Sequence, residues 1–506
     1  MNNITRIGRC FLFLVLLAAG GPAVGMEELT WRAPSQGGSR AGDILTVSLE
    51  QKGSAMFTAP VDLTPWAGKV LKATVRSKGT DVRAADKAWL GYKFMFHFRD
   101  GQGGTEEWPG APAREGSWDW TETVVRADLQ DKKPGTGTLS LGLQDTSGTV
   151  SFDLSSLRFE AEEPLFVPDT DETKCVYTDR VRKMPRLRGV MSPGGPIKED
   201  DLKTLGSWGA NLLRYQIVRD WHARNNNLDR DEYLRWVDSK ITHLLNDVLP
   251  WANAAGVYVL VDLHVPPGGR DLSGDMNMFY EQRHAETFLM AWTNIATRCV
   301  GRKGICGYDL INEPSQRRPA LSDCDFLTLQ ERAAKRVRAI DPDTPIVVES
   351  NGWDAPGEFK FLQIFKMKDV IYQAHMYAPH SYTHQGVHAG GDNWERVSYP
   401  SAKLGPSNLR AELQAVRDFQ QRHDAVIYIG EFSAITWAEG AERYLADCIS
   451  LFEEYGWHWS YHAFREWDGW SVEHAWTGRG RKTAPSADNP RKRALLNGFR
   501  RNTPRQ

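Results

Sequence analysis

The chain has 506 residues, 41% hydrophobic and 25% charged, an ordinary globular composition at a length that calls for two or three domains and excludes wholesale disorder. Sixty-two Lys and Arg stand against 64 Asp and Glu, a net charge of −2, so no surplus of positive charge exists to neutralise a nucleic-acid backbone, and no nucleic-acid partner is expected. Nineteen Trp are an unusual supply of large amphipathic rings, suited to stacking on flat, half-apolar ligands such as sugars.

Residues 1–25 read as an export signal: Arg6 and Arg9 form a positive start, 11–19 an apolar run, and Ala23-Val24-Gly25 a small-residue cleavage site. The run is shorter than the roughly 20 residues that span a bilayer. A mature chain from Met26, secreted or periplasmic and without a membrane span, is therefore expected. From 26 to 165 the stretches 44–49, 70–75, 90–98, 121–125, 139–143 and 150–159 are strand-like and separated by Gly, Pro, Asp and Ser clusters. Short strands at this spacing predict an all-β jelly-roll sandwich. Its closing stretch, 148–154, alternates apolar and polar residues and resembles the last strands of carbohydrate-binding modules. Trp89, Trp108, Trp118 and Trp120 are candidates for a sugar-stacking platform, with core packing as the competing fate.

Residues 166–185 have little periodicity and read as a linker. From 186 to 506 short apolar strands alternate with amphipathic helices, the signature of a parallel sheet built from βα units. Ala285, Phe288, Leu289, Trp292, Ile295, Ala296 and Cys299 recur at steps of three and four, marking the buried face of one helix. Asp229 and Glu232 form a capping box that starts another, which ends at Gly256. Strands are expected at 187–191, 211–216, 257–264, 307–312, 346–349, 370–377, 426–431 and 457–464. Eight such units predict an α/β fold, the (β/α)8 TIM barrel. An open doubly wound sheet would carry a Gly-rich phosphate loop after its first strand, and Pro193-Gly194-Gly195-Pro196 does not fit that fingerprint.

Function in such a barrel sits at the C-terminal ends of the strands. The polar residues there are Arg214 on strand 2, Asp262 and His264 on strand 3, Asn312 and Glu313 on strand 4, Glu349 on strand 5, His375 and Tyr377 on strand 6, Glu431 on strand 7, and His462 or Trp467 at strand 8. Glu313 and Glu431 would face each other across the mouth, and two opposed carboxylates are the minimal equipment for cleaving a glycosidic bond. Asn211-Leu212-Leu213-Arg214, Val261-Asp262-Leu263-His264, Asp309-Leu310-Ile311-Asn312-Glu313-Pro314, His375-Met376-Tyr377 and Ile427-Tyr428-Ile429-Gly430-Glu431-Phe432 together resemble the motifs of glycoside hydrolase family 5, the (β/α)8 retaining glycosidases that include many cellulases. The resemblance runs from about 188 to 470. It implies a retaining, endo-β-1,4-glucanase-like hydrolase of β-linked glycans, with Glu313 as general acid/base and Glu431 as nucleophile.

On that reading Glu313 needs surroundings that keep it protonated, which an ionised Glu431 nearby would supply by like-charge repulsion. Arg214 and the Tyr377 hydroxyl are expected to hold Glu431, Asn312 to bind the sugar 2-hydroxyl, and His264 and His375 to shape the first sugar site, structural hydrogen bonding being the alternative for the histidines. Family members commonly carry a Trp after strand 8 as a floor under the sugar. Here His462 stands in its place, and Trp467 could take over from a longer loop. Trp221, Trp353, Tyr382, Trp394 and Trp470 are candidates for further subsites. Asp262 and Glu349 read as rim ion pairs, and Asp271 with Asp275 as a solvated loop in preference to a calcium site. No metal or other cofactor is expected, and a monomer acting on a poly- or oligosaccharide is. Cys299 and Cys306 are expected to bridge at the barrel's bottom, and Cys448 to be a buried free thiol. Two other readings stand beside this one. A catalytically silent polysaccharide-binding or scaffold protein would not need both Glu; a periplasmic glycosidase trimming a polysaccharide made by the same cell fits the export signal equally well.

Overall fold

The computed structural model describes residues 29–87, 89–101, 106–193, 195–218, 228–388 and 394–502. The expected export signal and Trp221 lie outside the described residues. The chain divides into two compact units, Met1–Pro164 and Leu165–Gln506.

The first unit is antiparallel β structure: β1 (Gly38–Ala41), β2 (Ile44–Asp62), β3 (Val70–Val82), β4 (Gly91–Arg99), β5 (Glu106–Glu107), β6 (Gly116–Asp128) and β7 (Thr136–Glu162). Strand β7 pairs with β2, β3 and β4, and alternate residues such as Leu139, Leu141, Val150 and Phe152 enter one core with Phe94, Phe96 and Leu71. The sequence reads β7 as two strands, 139–143 and 150–159, whereas one strand runs through 144–149; Gly148 in that stretch is closely approached by β3, a Cβ there falling 2.6 Å from the Val82 Cα. Of the four tryptophans, Trp89 and Trp108 are 60% and 56% exposed, and Trp108 stacks on the His97 ring at 3.6 Å. Trp118 packs its edge on Tyr92 at 5.7 Å and so belongs partly to the core.

The second unit is a closed parallel barrel of β8 (Arg188–Met191), β9 (Leu212–Gln216), β10 (Tyr258–Asp262), β11 (Ile305–Asp309), β12 (Ile346–Glu349), β13 (Val370–Met376), β14 (Ile427–Phe432) and β15 (His458–Tyr461). Each overlaps an expected strand. The differences are at the ends, where pairing stops and the chain turns into the loops. The helix Gln282–Cys299 buries the face its spacing predicts, and the Asp229 carboxylate accepts from the Glu232 N–H at 2.8 Å to start the helix Arg230–His243. Inside the barrel two layers differ in kind. Leu187, Leu212, Leu260, Cys306, Val347, Ile371 and Tyr428 form an apolar lower layer, and above it lie the buried polar groups of Arg214, Asp262, Asp309, Glu349 and Gln373.

This layering overturns the expected Cys299–Cys306 bridge: no disulfide joins the two. The β10–β11 pairing skips from Val259 with Ile305 to Leu260 with Gly307, so Cys306 is a bulge residue turned into the barrel, among the lower layer. Cys299 faces the other side of the barrel wall, in the layer between helices and strands. Cys448 is a buried free thiol, as its helix spacing predicts. The segment 166–185, expected as a linker, is bonded to the barrel: Asp169 accepts from His423 at 2.7 Å, Asp369 from the Thr178 hydroxyl at 2.8 Å, and the Tyr177 hydroxyl donates to the Val370 carbonyl at 2.9 Å. Among the described residues no helix is long and apolar enough to cross a membrane.

Candidate active site

The site is organised around one arginine. Arg214, near the end of β9, is fully buried. Its guanidinium reaches Asp309 at 2.7 Å, Glu349 and Glu431 at 2.8 Å, and Asp262 at 3.5 Å. Five donors fixed in one plane are what allow a single side chain to span strands 3, 4, 5 and 7. It also donates to the Asn312 carboxamide oxygen at 3.0 Å. Asp262 and Glu349, expected as rim ion pairs, are instead fully buried beneath the mouth, because this guanidinium draws both inward.

One cation among four buried carboxylates leaves negative charge in excess, and the environment sorts the acids. Burial, against the pull of Arg214, pushes the Asp309 carboxyl up to about 6. Burial, with Asp354 and Asp309 nearby, pushes Glu349 well above the ordinary range. Glu431 goes the other way. Burial would raise it too, but His375, His462, Arg214 and His264 outweigh burial and hold it well below the usual carboxylate range. Both its oxygens are also engaged, one by Arg214 and the other by the Tyr377 hydroxyl at 2.8 Å.

Glu313 stands across from it. Its carboxylate meets His375 Nδ1 at 3.0 Å, and the same nitrogen lies 3.8 Å from Glu431. Its backbone has φ +54°, a left-handed conformation that costs a non-glycine residue about 1–2 kcal/mol. Asn312, His264, His375, Tyr377 and Arg214 are thus gathered with both glutamates at the C-terminal mouth. His264 is bound through Nδ1 to Asp262 at 2.8 Å.

At strand 8, His462 is buried with its ring edge-on to Tyr377 at 6.0 Å. Burial would lower its imidazolium, but Glu466, 3.3 Å away, and Glu431 outweigh this and raise it to about 9. Trp467 is 42% exposed and leans on Trp437 and Trp470 at 5.8 and 6.0 Å. The other expected subsite rings divide. Trp353 is exposed; Trp394 is packed partly into the core and Trp470 is buried. Tyr382 is fully buried with its hydroxyl on the Glu439 carbonyl, so it lines no subsite. Asp275 is not in a solvated loop: it is buried and held by Arg317 at 2.8 Å and the Tyr280 hydroxyl at 2.8 Å, while Arg318 takes Asp271 at 2.7 Å.

Sequence reasoning missed Gln373, Asp354, Arg270 and Glu466. Gln373 carried a signal, a polar residue in step with Ile371, His375 and Tyr377 on the inward face of an apolar strand. Glu466 follows His462 by four residues, and Arg270 and Asp354 lie in loops where no period marks them. Two triads of ligand-type residues, Glu313–His375–Glu431 and Glu349–Asp354–His375, have donor atoms within 4.8 Å of one another. In the first, the Glu431 oxygens are already bonded to Arg214 and Tyr377.

The family model Cellulase (glycosyl hydrolase family 5) matches residues 178–468, and the β-rich first unit lies outside the match. Endoglucanase C of Acetivibrio thermocellus is 23% identical over 299 residues, covering 52% of this chain and 84% of that protein. Cellodextrinase A of Ruminococcus flavefaciens is 23% identical over 276 residues, covering 51% of this chain and 76% of that protein. The solved structure of Thermotoga maritima Cel5A in complex with cellobiose aligns at 22% identity and a TM-score of 0.49, covering 64% of this chain and 100% of that one. With more than half of its length matched by the family model, and a closed eight-stranded parallel barrel to carry it, the chain belongs to glycosyl hydrolase family 5 and is a glycoside hydrolase.

Proposed function

We propose that the chain is an exported, monomeric, retaining hydrolase of β-linked glucans, endo-β-1,4-glucanase-like, with Glu313 as general acid/base and Glu431 as nucleophile. The observation that carries the reading is the spacing of the two carboxylates: an oxygen of each lies within 4.8 Å of the other. Retaining enzymes hold their carboxyl groups about 5–5.5 Å apart and inverting ones about 6.5–9.5 Å, to admit a water; so close an approach of two oxygens, with one imidazole nitrogen between them, favours the shorter class. The charges support the division of labour. A carboxylate held ionised by Arg214 and neighbouring imidazoles, and aimed by Tyr377, suits a nucleophile; the more open Glu313 suits proton exchange with the leaving group and then with water. The names of the related endoglucanases support a β-glucan substrate, and the sequence of residues 1–25 supports export.

In the first step the Glu431 oxygen attacks the anomeric carbon while Glu313 gives its proton to the departing glycosidic oxygen. In the second, Glu313 takes a proton from water, which displaces Glu431. Asn312, its carbonyl oxygen bound to Arg214, has its amide nitrogen for the sugar 2-hydroxyl. Arg214 and Tyr377 orient Glu431, His264, His375 and His462 shape the cleavage subsite, and Trp467 offers a ring to the substrate. The first unit, with Trp89 and Trp108 exposed, is a sugar-binding module on the same reading.

Glu431→Ala should abolish turnover on every substrate. Glu313→Ala should still be glycosylated by aryl glycosides whose leaving group needs no proton, and azide should rescue it to a β-glycosyl azide. A β-glycosyl azide from azide-treated Glu431→Ala together with an α-azide from Glu313→Ala would reverse the assignment, and an inverted anomer in the first product seen by NMR would overturn the retaining mechanism.

A further inference from the structure

The conformation of Glu313 has no local cause. A side chain disfavours φ +54°, and the residue before a proline, here Pro314, is pushed toward extended backbone. Something outside the segment must hold it. Two side chains, an acid and a guanidinium, do so from opposite ends. The Glu313 N–H donates to Glu349 Oε2 at 2.5 Å, and the Glu313 carbonyl accepts from Arg270 Nη2 at 2.8 Å, with the Asn312 carbonyl beside it at 3.2 Å. The two peptide groups flanking the Glu313 Cα are thereby fixed, and with them the direction of its Cα–Cβ bond.

Neither holder is loose. Glu349 ends β12 fully buried, its other oxygen bonded to Arg214 at 2.8 Å and to the Gln373 amide. Arg270, in the loop after β10, donates to the Gly274 carbonyl at 3.1 Å and lies over the Trp353 ring at 4.2 Å. Trp353 is itself tied by its N–H to the Pro314 carbonyl at 3.0 Å. The acid/base segment, the strand-3 loop and the strand-5 loop are thus cross-linked around one Cα. We propose that Glu349 and Arg270 are positioning residues for the proton-transfer group: they clamp the backbone of Glu313 and so aim its carboxyl at the leaving-group oxygen. The inference rests on the reading of Glu313 as acid/base and adds what sets its aim.

The test is kcat/KM, which reports the first step, on aryl β-cellobiosides whose phenols range from strongly to weakly acidic. A misaimed proton donor matters only where the leaving group needs a proton. Glu349→Gln, whose amide cannot accept from both Glu313 and Arg214, should lose about 10- to 100-fold on weakly acidic phenols. On dinitrophenol it should lose less than about 3-fold. Arg270→Lys, which keeps the charge but has no planar fork, should show the same selectivity at about 5- to 10-fold. It provides the reading if Glu349→Gln does not fold. Glu313→Ala should show the selectivity at its fullest. Parallel losses on all phenols in the folded variants, beside a selective Glu313→Ala, would overturn the clamp alone. A Glu313→Ala without selectivity would overturn the acid/base reading and the clamp with it.

Discussion

His462 is where a single residue carries a measurable charge. Its folded value of about 9 exceeds the ordinary 6.5, so the folded state binds a proton more tightly than the unfolded chain. The resulting stabilisation is full below about 6.5 and is lost as pH rises through about 9. In His462→Gln the fall in melting temperature between those limits should flatten relative to the unaltered protein, while the acid side stays unchanged. An identical alkaline slope in both proteins would show that the imidazolium is not the titrating group. The residues around it were legible in the sequence to different degrees. Arg214, Glu313, His375, Tyr377 and Glu431 each interrupt or end an apolar strand, and a polar side chain in that place has few reasons to exist other than the site. Glu466 and Arg270 come from loops, where polarity is ordinary. Glu349 was visible but read as a rim group, because sequence does not say that Arg214 would draw it below the mouth.

The elements show what periodicity can and cannot deliver. All eight barrel strands are found where apolar runs alternate with helices, since burial on both faces forces that pattern. Close approaches leave no such trace. Gly189 in β8 sits against β9, and a Cβ there would lie 1.9 Å from the Leu212 carbonyl oxygen. Because the obstacle is backbone, Gly189→Ala must push a hydrogen-bonded pair of strands away from each other, and should cost about 3 kcal/mol in denaturant unfolding. A variant within about 0.5 kcal/mol of the parent would contradict the packing. The bulge at Cys306 is equally silent, and it sets two cysteines seven positions apart on opposite sides of one wall.

At the scale of the molecule, the two units have separate cores, so the barrel should fold without the first. The boundary decides the outcome. A truncated protein beginning at Leu165 keeps Asp169, Tyr177 and Thr178 on their barrel partners and should retain most activity on small aryl glycosides. One starting at Lys183 gives up those buried bonds and leaves His423 and Asp369 without these partners, for an expected loss of about 2–4 kcal/mol. Equal melting temperatures for the two would refute the argument. The composition of 166–185 reads as linker because its bonds go through single Asp, Thr and Tyr side chains, with no periodic apolar face to announce them.

The layered interior of the barrel separates two tasks that crowd together in most enzymes. The acids crowd the upper storey, while the lower holds mostly apolar groups around a small void of about 10 Å³ bordered by Leu187, Cys306, Ile371 and His458. Directed evolution for heat tolerance can therefore work downstairs without disturbing the chemistry above. Cys306→Val, which adds a methyl group there and removes an oxidisable thiol, should raise stability by about 0.5–1 kcal/mol with kcat unchanged, and a lowered melting temperature would mean that the void is already closed by neighbouring side chains.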